Sequence, residues 1–189
     1  MNKEQITKKT EEFMIHNIPN SRISKDNNNT YYLKHIKGAR KYAKKLAKTY
    51  NVDKFIVDMA AILHDIAADV GENHAEKSAK IANIFLTNIN LEKTTKEKII
   101  NCIKSHSMGA KTDTIEQQIL QDADGLIFIE DTYKFYFEVK QQKNTNSKAK
   151  KLTEEKITGM LNKIKTEEGI KLSKKLIDKS STNIKHNIQ

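Results

Sequence analysis

The residues that could do chemistry gather around one apolar run, Met59-Ala60-Ala61-Ile62-Leu63-His64-Asp65-Ile66-Ala67-Ala68. An imidazole and a carboxylate stand side by side there. Phe55, Ile56, Met59, Ala60 and Leu63 recur at helical spacing and build a core face that leads into His64. An ionised carboxylate buried without a partner costs several kcal/mol. The pair therefore calls for solvent, dense hydrogen bonding or a cation. A divalent ion resolves the conflict, because histidine and aspartate are both suitable ligands. Two more polar residues lie beside apolar stripes: His35, one turn before Ala39, and Asp124, four after Leu120 and three before Ile127. His74 and His106 join the candidates, the first in the opening turn of a helix and the second three residues after Ile103. Asp122 falls on another helical face and reads as solvent-facing.

These side chains must be carried by helices. One proline, six glycines and long stretches of Lys, Glu, Ala, Leu and Ile favour helices joined by short loops. A first helix over residues 3–16 places Ile6, Phe13 and Met14 on one side and stops before Ile18-Pro19. His16 reads as a helix-end or surface residue. Residues 24–30 form a polar loop. A helix over 31–50 buries Ile36, Ala39, Ala43, Leu46, Ala47 and Tyr50, and the turn Asn51-Val52-Asp53 leads to a third helix over 52–68. So short a connection packs the two antiparallel and brings His35 towards His64 and Asp65.

Val70-Gly71-Glu72 breaks the chain before a helix over 73–88, which buries some combination of Ala75, Ala79, Ala82, Ile84 and Phe85. Thr94-Thr95-Lys96-Glu97 has capping-box spacing and opens a helix that closes near His106, with Gly109 as a stop. Asp113 opens the helix of Asp124. The aromatic stretch 132–139 is expected to continue as helix, its aromatics forming core or pocket wall. A polar loop covers 141–152, and an amphipathic helix or helix pair covers 153–179 with a break at Gly169. Residues 180–189 form a frayed tail. A single domain spanning 1–189 is expected from the length.

Composition narrows the function classes. Thirty-four Lys and Arg against 24 Asp and Glu give a formal charge of +10. Only Arg22 and Arg40 are arginines, and the lysines spread along most helices mixed with glutamate. That pattern is a solvated basic surface rather than a phosphate track, so nucleic-acid binding is the weaker expectation. Small anionic substrates suit the charge equally well. The lone Cys102 forms no internal disulfide, and no apolar run approaches the ~20 residues of a membrane span. A soluble cytoplasmic protein is expected, with no membrane association. Oligomeric state is left open.

Together, His35, the run Ala61-Ile62-Leu63-His64-Asp65-Ile66 and Ile119-Leu120-Gln121-Asp122-Ala123-Asp124-Gly125-Leu126 resemble the HD superfamily of metal-dependent phosphohydrolases over roughly residues 30–130. The resemblance implies an all-α HD-domain bundle of about six to eight helices. It also implies a divalent ion, Mn²⁺, Mg²⁺, Co²⁺, Ni²⁺ or Fe²⁺, held by His35, His64, Asp65 and Asp124. His74 and His106 either complete a two-metal site with Asp65 bridging or face a substrate phosphate. Members that degrade cyclic dinucleotides usually carry a doubled histidine where this chain has His106 between Ser105 and Ser107. The Gly-Tyr-Pro signature of one such branch is missing too, which speaks against a cyclic-dinucleotide substrate and slightly favours one tightly bound ion; the chain resembles most the small stand-alone HD proteins, whose assigned substrates are nucleotides.

Such an ion makes hydroxide available near neutrality and draws charge off a phosphoryl oxygen. Asp65 could then act as base, while His74, His106 and Lys104 could offset phosphate charge. Arg22 and Arg40 could clamp a phosphate, although Arg40 reads more readily as a surface charge. The expected activity is hydrolysis of a phosphoester or phosphoanhydride bond of a nucleotide or similar small phosphate compound. The alternative is a non-catalytic module that keeps metal as a staple and binds nucleotide or RNA through its basic surface.

Overall fold

The chain is all-α. Its computed structural model describes residues 1–17, 32–68 and 73–181; Arg22, the polar loop of residues 24–30 and Val70-Gly71-Glu72 lie outside the described residues. The elements are α1 (Lys3–His16), a π-helical turn (Tyr32–Ile36) leading into α2 (Lys37–Tyr50), α3 (Lys54–Leu63), α4 (His74–Asn88), α5 (Lys93–Lys104) and α6 (Ile115–Ile127). A second π-helical turn (Phe128–Thr132) then continues into α7 (Tyr133–Gln141), followed by α8 (Asn146–Lys163) and α9 (Glu167–Ser181). Each π turn is continuous with its neighbours, so the described residues form eight uninterrupted helical runs and no strand.

Side-chain caps set the helix starts. Asn2 and Gln5 form a reciprocal capping box on α1, Asp53 accepts from Phe55 N on α3, and Thr114 and Thr145 cap α6 and α8. The middle of the bundle is α2, packed against α6 and α3, and α6 also touches α5, α8 and α9. The alanines of α2, Ala39, Ala43 and Ala47, are fully buried and keep that approach close. Gly38 is part of the same contact: a Cβ there would lie 2.2 Å from Ile127 Cδ1. Outer helices cover this centre, α1 on α3, α4 paired with α5, and α7 paired with α8. Phe13 of α1 stacks on Phe85 of α4 with ring centroids 4.1 Å apart.

Several sequence expectations are corrected. The third helix ends at Leu63, and His64 and Asp65 stand in tight turns in which Ile66 N donates to Leu63 O and Ala68 N to Asp65 O. The α5 cap is Glu92, whose carboxylate accepts from Thr94 N and Thr95 N, and not the Thr94 capping box. Helix α6 is capped by Thr114, one residue after Asp113. Ile84 is 62 % exposed while Leu86 takes the buried position.

Asp122 faces the core instead of solvent: it is fully buried and accepts backbone N–H groups of Lys165 and Thr166, each at 2.9 Å. Helical spacing said nothing of α9 docking on that face. The loop expected over 141–152 spans only residues 142–145, because Thr145 starts α8 early. The C-terminal break falls at residues 164–166, and Gly169 sits inside α9. Glycine is needed there for close approach, since a Cβ would lie 2.4 Å from Asp122 Oδ2.

Candidate metal centre

Each candidate ligand is oriented by a contact on its far side. His64 Nδ1 donates to Ala61 O at 2.9 Å, which leaves Nε2 as the lone-pair nitrogen facing inwards. His35 lies in the first π turn, and its Nδ1 is 3.0 Å from the Thr132 hydroxyl of the second. Thr132 donates in turn to Ile127 O, so its oxygen receives the His35 proton. His106 Nδ1 donates to Ile103 O at 2.6 Å just beyond α5. Gln121 of α6 braces that loop by donating to Ser105 O and Ala110 O.

The inward atoms converge. His35 Nε2 is 3.2 Å from His64 Nε2, 3.3 Å from Asp124 Oδ1 and 3.7 Å from Asp65 Oδ2. His64 Nε2 is 3.8 Å from both carboxylate oxygens. Neighbouring ligands of an ion coordinated at about 2.1 Å stand about 3.0–3.4 Å apart in octahedral or tetrahedral geometry. His35, His64 and Asp124 form one set able to hold a divalent cation and His64, Asp65 and His106 an adjoining one, with Asp65 Oδ2 also within 3.8 Å of both His35 and His64 Nε2. At the second set Asp65 Oδ1 lies 3.4 Å from His106 Nε2 and 3.8 Å from His74 Nε2, and the two nitrogens are 3.1 Å apart. Asp65 thus turns one oxygen to each histidine pair.

The electrostatics agree that this spot attracts positive charge. Burial alone would keep His64 neutral, yet the charges of Asp65 and Asp124 raise its pKa above the ordinary histidine value. Burial would protonate Asp65, but His64 and then His106 hold its carboxyl well below the usual range. Asp124 is held low against burial first by Lys163 and then by His35 and His64. Burial pushes His106 down to about 4. His106 is thus neutral near pH 7, with its proton on Nδ1, and Nε2 has only a lone pair to offer.

Comparison with known proteins shows the family. The family model for the HD domain matches residues 32–128, just over half of the chain. The chain belongs to the HD-domain family. No curated protein sequence matches it. Among solved structures it is similar to Bacillus subtilis YpgQ, with a TM-score of 0.76 at 19 % identity over 100 % of both chains. It is also similar to YpgQ in complex with ADP, with a TM-score of 0.71 at 20 % identity over 97 % of this chain and 100 % of that one. A predicted HD superfamily hydrolase from an uncultured Thermotogales bacterium gives a TM-score of 0.63 at 17 % identity over 98 % and 97 % of the two chains. At these identities the likeness is one of fold.

The HD centre opens on a cavity of about 730 Å³, whose lining includes His35, Asp65, His74, His106 and Asp124 together with Lys140, Lys156 and Lys163. Phe128, Phe135, Tyr136, Met108 and Met160 supply its apolar wall, so the aromatic stretch of residues 132–139 is indeed helical and faces the pocket. Lys104 is not part of this wall; it is half exposed on α5 and pairs with Glu76 at 4.0 Å. Arg40 is neither a phosphate clamp nor a surface charge. It is buried and bonded to Asp58 and Glu11, because α3 packs against α2 and α1, docked on α3, brings Glu11 to the guanidinium.

Sequence reasoning missed three residues of the site. Lys163 pairs with Asp124 and is buried, Thr132 orients His35, and Ser107 lines the cavity with its buried hydroxyl unpartnered among the described residues. Only the position of Ser107 next to His106 offered a signal.

Proposed function

We propose that this HD-domain protein is a metal-dependent phosphohydrolase that cleaves a phosphoester or phosphoanhydride bond of a nucleotide or similar small phosphate compound. The observation that carries the reading is the convergence of His35, His64, Asp65 and Asp124 at ligand spacing on the floor of a lysine-lined cavity. A divalent ion bound by those four residues supplies a water nucleophile at neutral pH and stabilises charge on the phosphoryl oxygens.

The chain's own residues do the rest. Lys140 and Lys156 face the cavity and offset phosphate charge. The Ser107 hydroxyl can donate to a phosphate oxygen. Phe128 and Tyr136, edge to face with centroids 5.7 Å apart, add aromatic lining that a nucleobase can pack against. Against burial, His64 and then His106 hold the Asp65 carboxyl well below the usual range, and Oδ1, the oxygen turned away from the first ligand set, can accept a proton in the one-ion form, whereas in the two-ion form both oxygens are ligands. A neutral His106 with its proton on Nδ1 has nothing to donate to phosphate. This favours the two-ion form, with His74, His106 and Asp65 Oδ1 holding the second cation, over histidines that contact phosphate directly.

The test is release of phosphate or pyrophosphate from a panel of nucleotides with each of Mn²⁺, Mg²⁺, Co²⁺, Ni²⁺ and Fe²⁺, alongside the bound-metal count. His64→Ala and Asp65→Ala are expected to lower kcat/KM by at least about 10²-fold, in line with loss of transition-state stabilisation of a few kcal/mol. Metal binding without turnover of any substrate, or full activity in both variants, overturns the reading.

A further inference from the structure

We propose that Lys163 is the positioning residue that makes Asp124 a one-oxygen ligand and thereby sets which divalent ions the centre accepts. The inference rests on the metal-centre reading above and concerns a residue outside the stretch that matches the HD family model.

The two oxygens of Asp124 do different things. Oδ1 faces His35 and His64, at 3.3 and 3.8 Å, while Oδ2 is taken by the Lys163 ammonium. The Lys163 side chain is 2 % exposed, so swinging away would leave two buried charges without partners. Its backbone is fixed as well. Gln118 Nε2 donates to Lys163 O at 3.1 Å and to Asp122 Oδ1 at 2.7 Å, and Asp122 accepts the N–H groups of Lys165 and Thr166. At Ile164 the chain leaves the helix in an extended conformation, φ −76° and ψ 120°, which starts the turn into α9. Three positions along residues 163–166 are thus bound to one face of α6, and the ammonium is delivered to Oδ2 from a rigid base.

Selectivity follows from coordination chemistry. Calcium takes 6–8 oxygens and often binds both oxygens of a carboxylate, whereas the smaller divalent ions favour six or fewer ligands, one oxygen from each carboxylate. An Oδ2 held by lysine withholds the extra oxygen that calcium would use. Removing the ammonium lowers local positive charge for every cation alike, but it adds a ligand only for the ion that can use it. The ratio of affinities isolates that difference.

The experiment titrates metal-stripped full-length protein with Mn²⁺ and with Ca²⁺ by calorimetry, for wild type, Lys163→Met and Lys163→Arg, with helicity checked by circular dichroism. Wild type is expected to prefer Mn²⁺. In K163M the Mn²⁺-over-Ca²⁺ preference falls by about tenfold, equivalent to about 1.4 kcal/mol, and K163R restores the wild-type ratio. Loss of helix packing would weaken both ions together and leave the ratio in place. Lys163→Leu, which likewise offers no donor to Oδ2, gives the same comparison in case K163M does not fold. An unchanged ratio in a folded K163M or K163L that binds Mn²⁺ overturns the inference. Absence of Mn²⁺ binding by wild type overturns the metal centre itself.

Discussion

At the residue scale, two buried ion pairs of similar composition serve different ends. Arg40 donates from Nε and Nη2 to the two oxygens of Asp58, at 2.7 and 3.0 Å, and from Nη1 to Glu11. It joins α2 to α3 and α1, away from the cavity lining, and therefore holds structure only. Lys163 and Asp124 form the other pair on the cavity wall, where the carboxylate has a second partner set to serve. Arg40→Met is expected to cost about 3 kcal/mol, the low end for stranding a buried charge, because Lys44 remains 3.7 Å from Asp58. Urea melts measure that loss, and the nucleotide assay under native conditions is expected to show an unchanged KM. A raised KM in a folded R40M would return Arg40 to the substrate.

At the element scale, most candidate ligands come from helix ends. His35 lies in a π turn, His64 and Asp65 follow α3, His74 is the first residue of α4 and His106 follows α5; only Asp124 sits within a helix. Side chains inside a helix keep to its ridges, whereas turn residues can aim at one point. Holding the ends is therefore holding the site. Helix α5 is secured at its start by Glu92, whose carboxylate accepts from Thr94 N and Thr95 N and is drawn down to about 2 by those hydrogen bonds. A carboxylate depressed on folding contributes stability that is complete above its ordinary value of 4.5 and is lost as pH falls towards 2. Glu92→Gln is expected to melt below wild type at pH 7, with the gap closing from pH 4.5 downwards. A gap constant from pH 7 to pH 3 would show that the charge of this cap does not act as described.

At the scale of the whole molecule, the centre draws on α2, α3, α4, α5 and α6 together, so cations bound there would add a tie between helices that the core and ion pairs such as Arg40–Asp58 already join. An ion that binds the folded chain alone stabilises it by about 2.7 kcal/mol at a hundred times its dissociation constant. For a chain of this size that is a rise in Tm of about 5–10 °C. Chelation is expected to lower the Tm by this amount, and Asp124→Ala to remove the response. Cys102 gives an independent readout: it is buried, and burial and then Glu116 push its thiol up to about 12, so alkylation tracks unfolding and should slow when the ion is added. A Tm indifferent to metal would contradict a site that joins these helices. None of the described helices is long and apolar enough to cross a membrane.

The sequence alone determined the helical architecture and nominated the residues that converge. Periodicity reports which face of a helix is buried, and a charge in an apolar run stands out locally, as at His64-Asp65 and Asp124. Tertiary structure decided the rest. Asp122 reads as solvent-facing because the α8–α9 turn that covers it lies more than forty residues on in the chain. Lys104 and Lys163 look alike on amphipathic helices, and only the docking of α8 on α6 buries one beside a carboxylate and leaves the other in water. The apolar runs around His64-Asp65 and Asp124 announced uncompensated charges; which lysine would balance Asp124, and which of its oxygens would be left for a metal, depended on partners that sequence spacing does not encode.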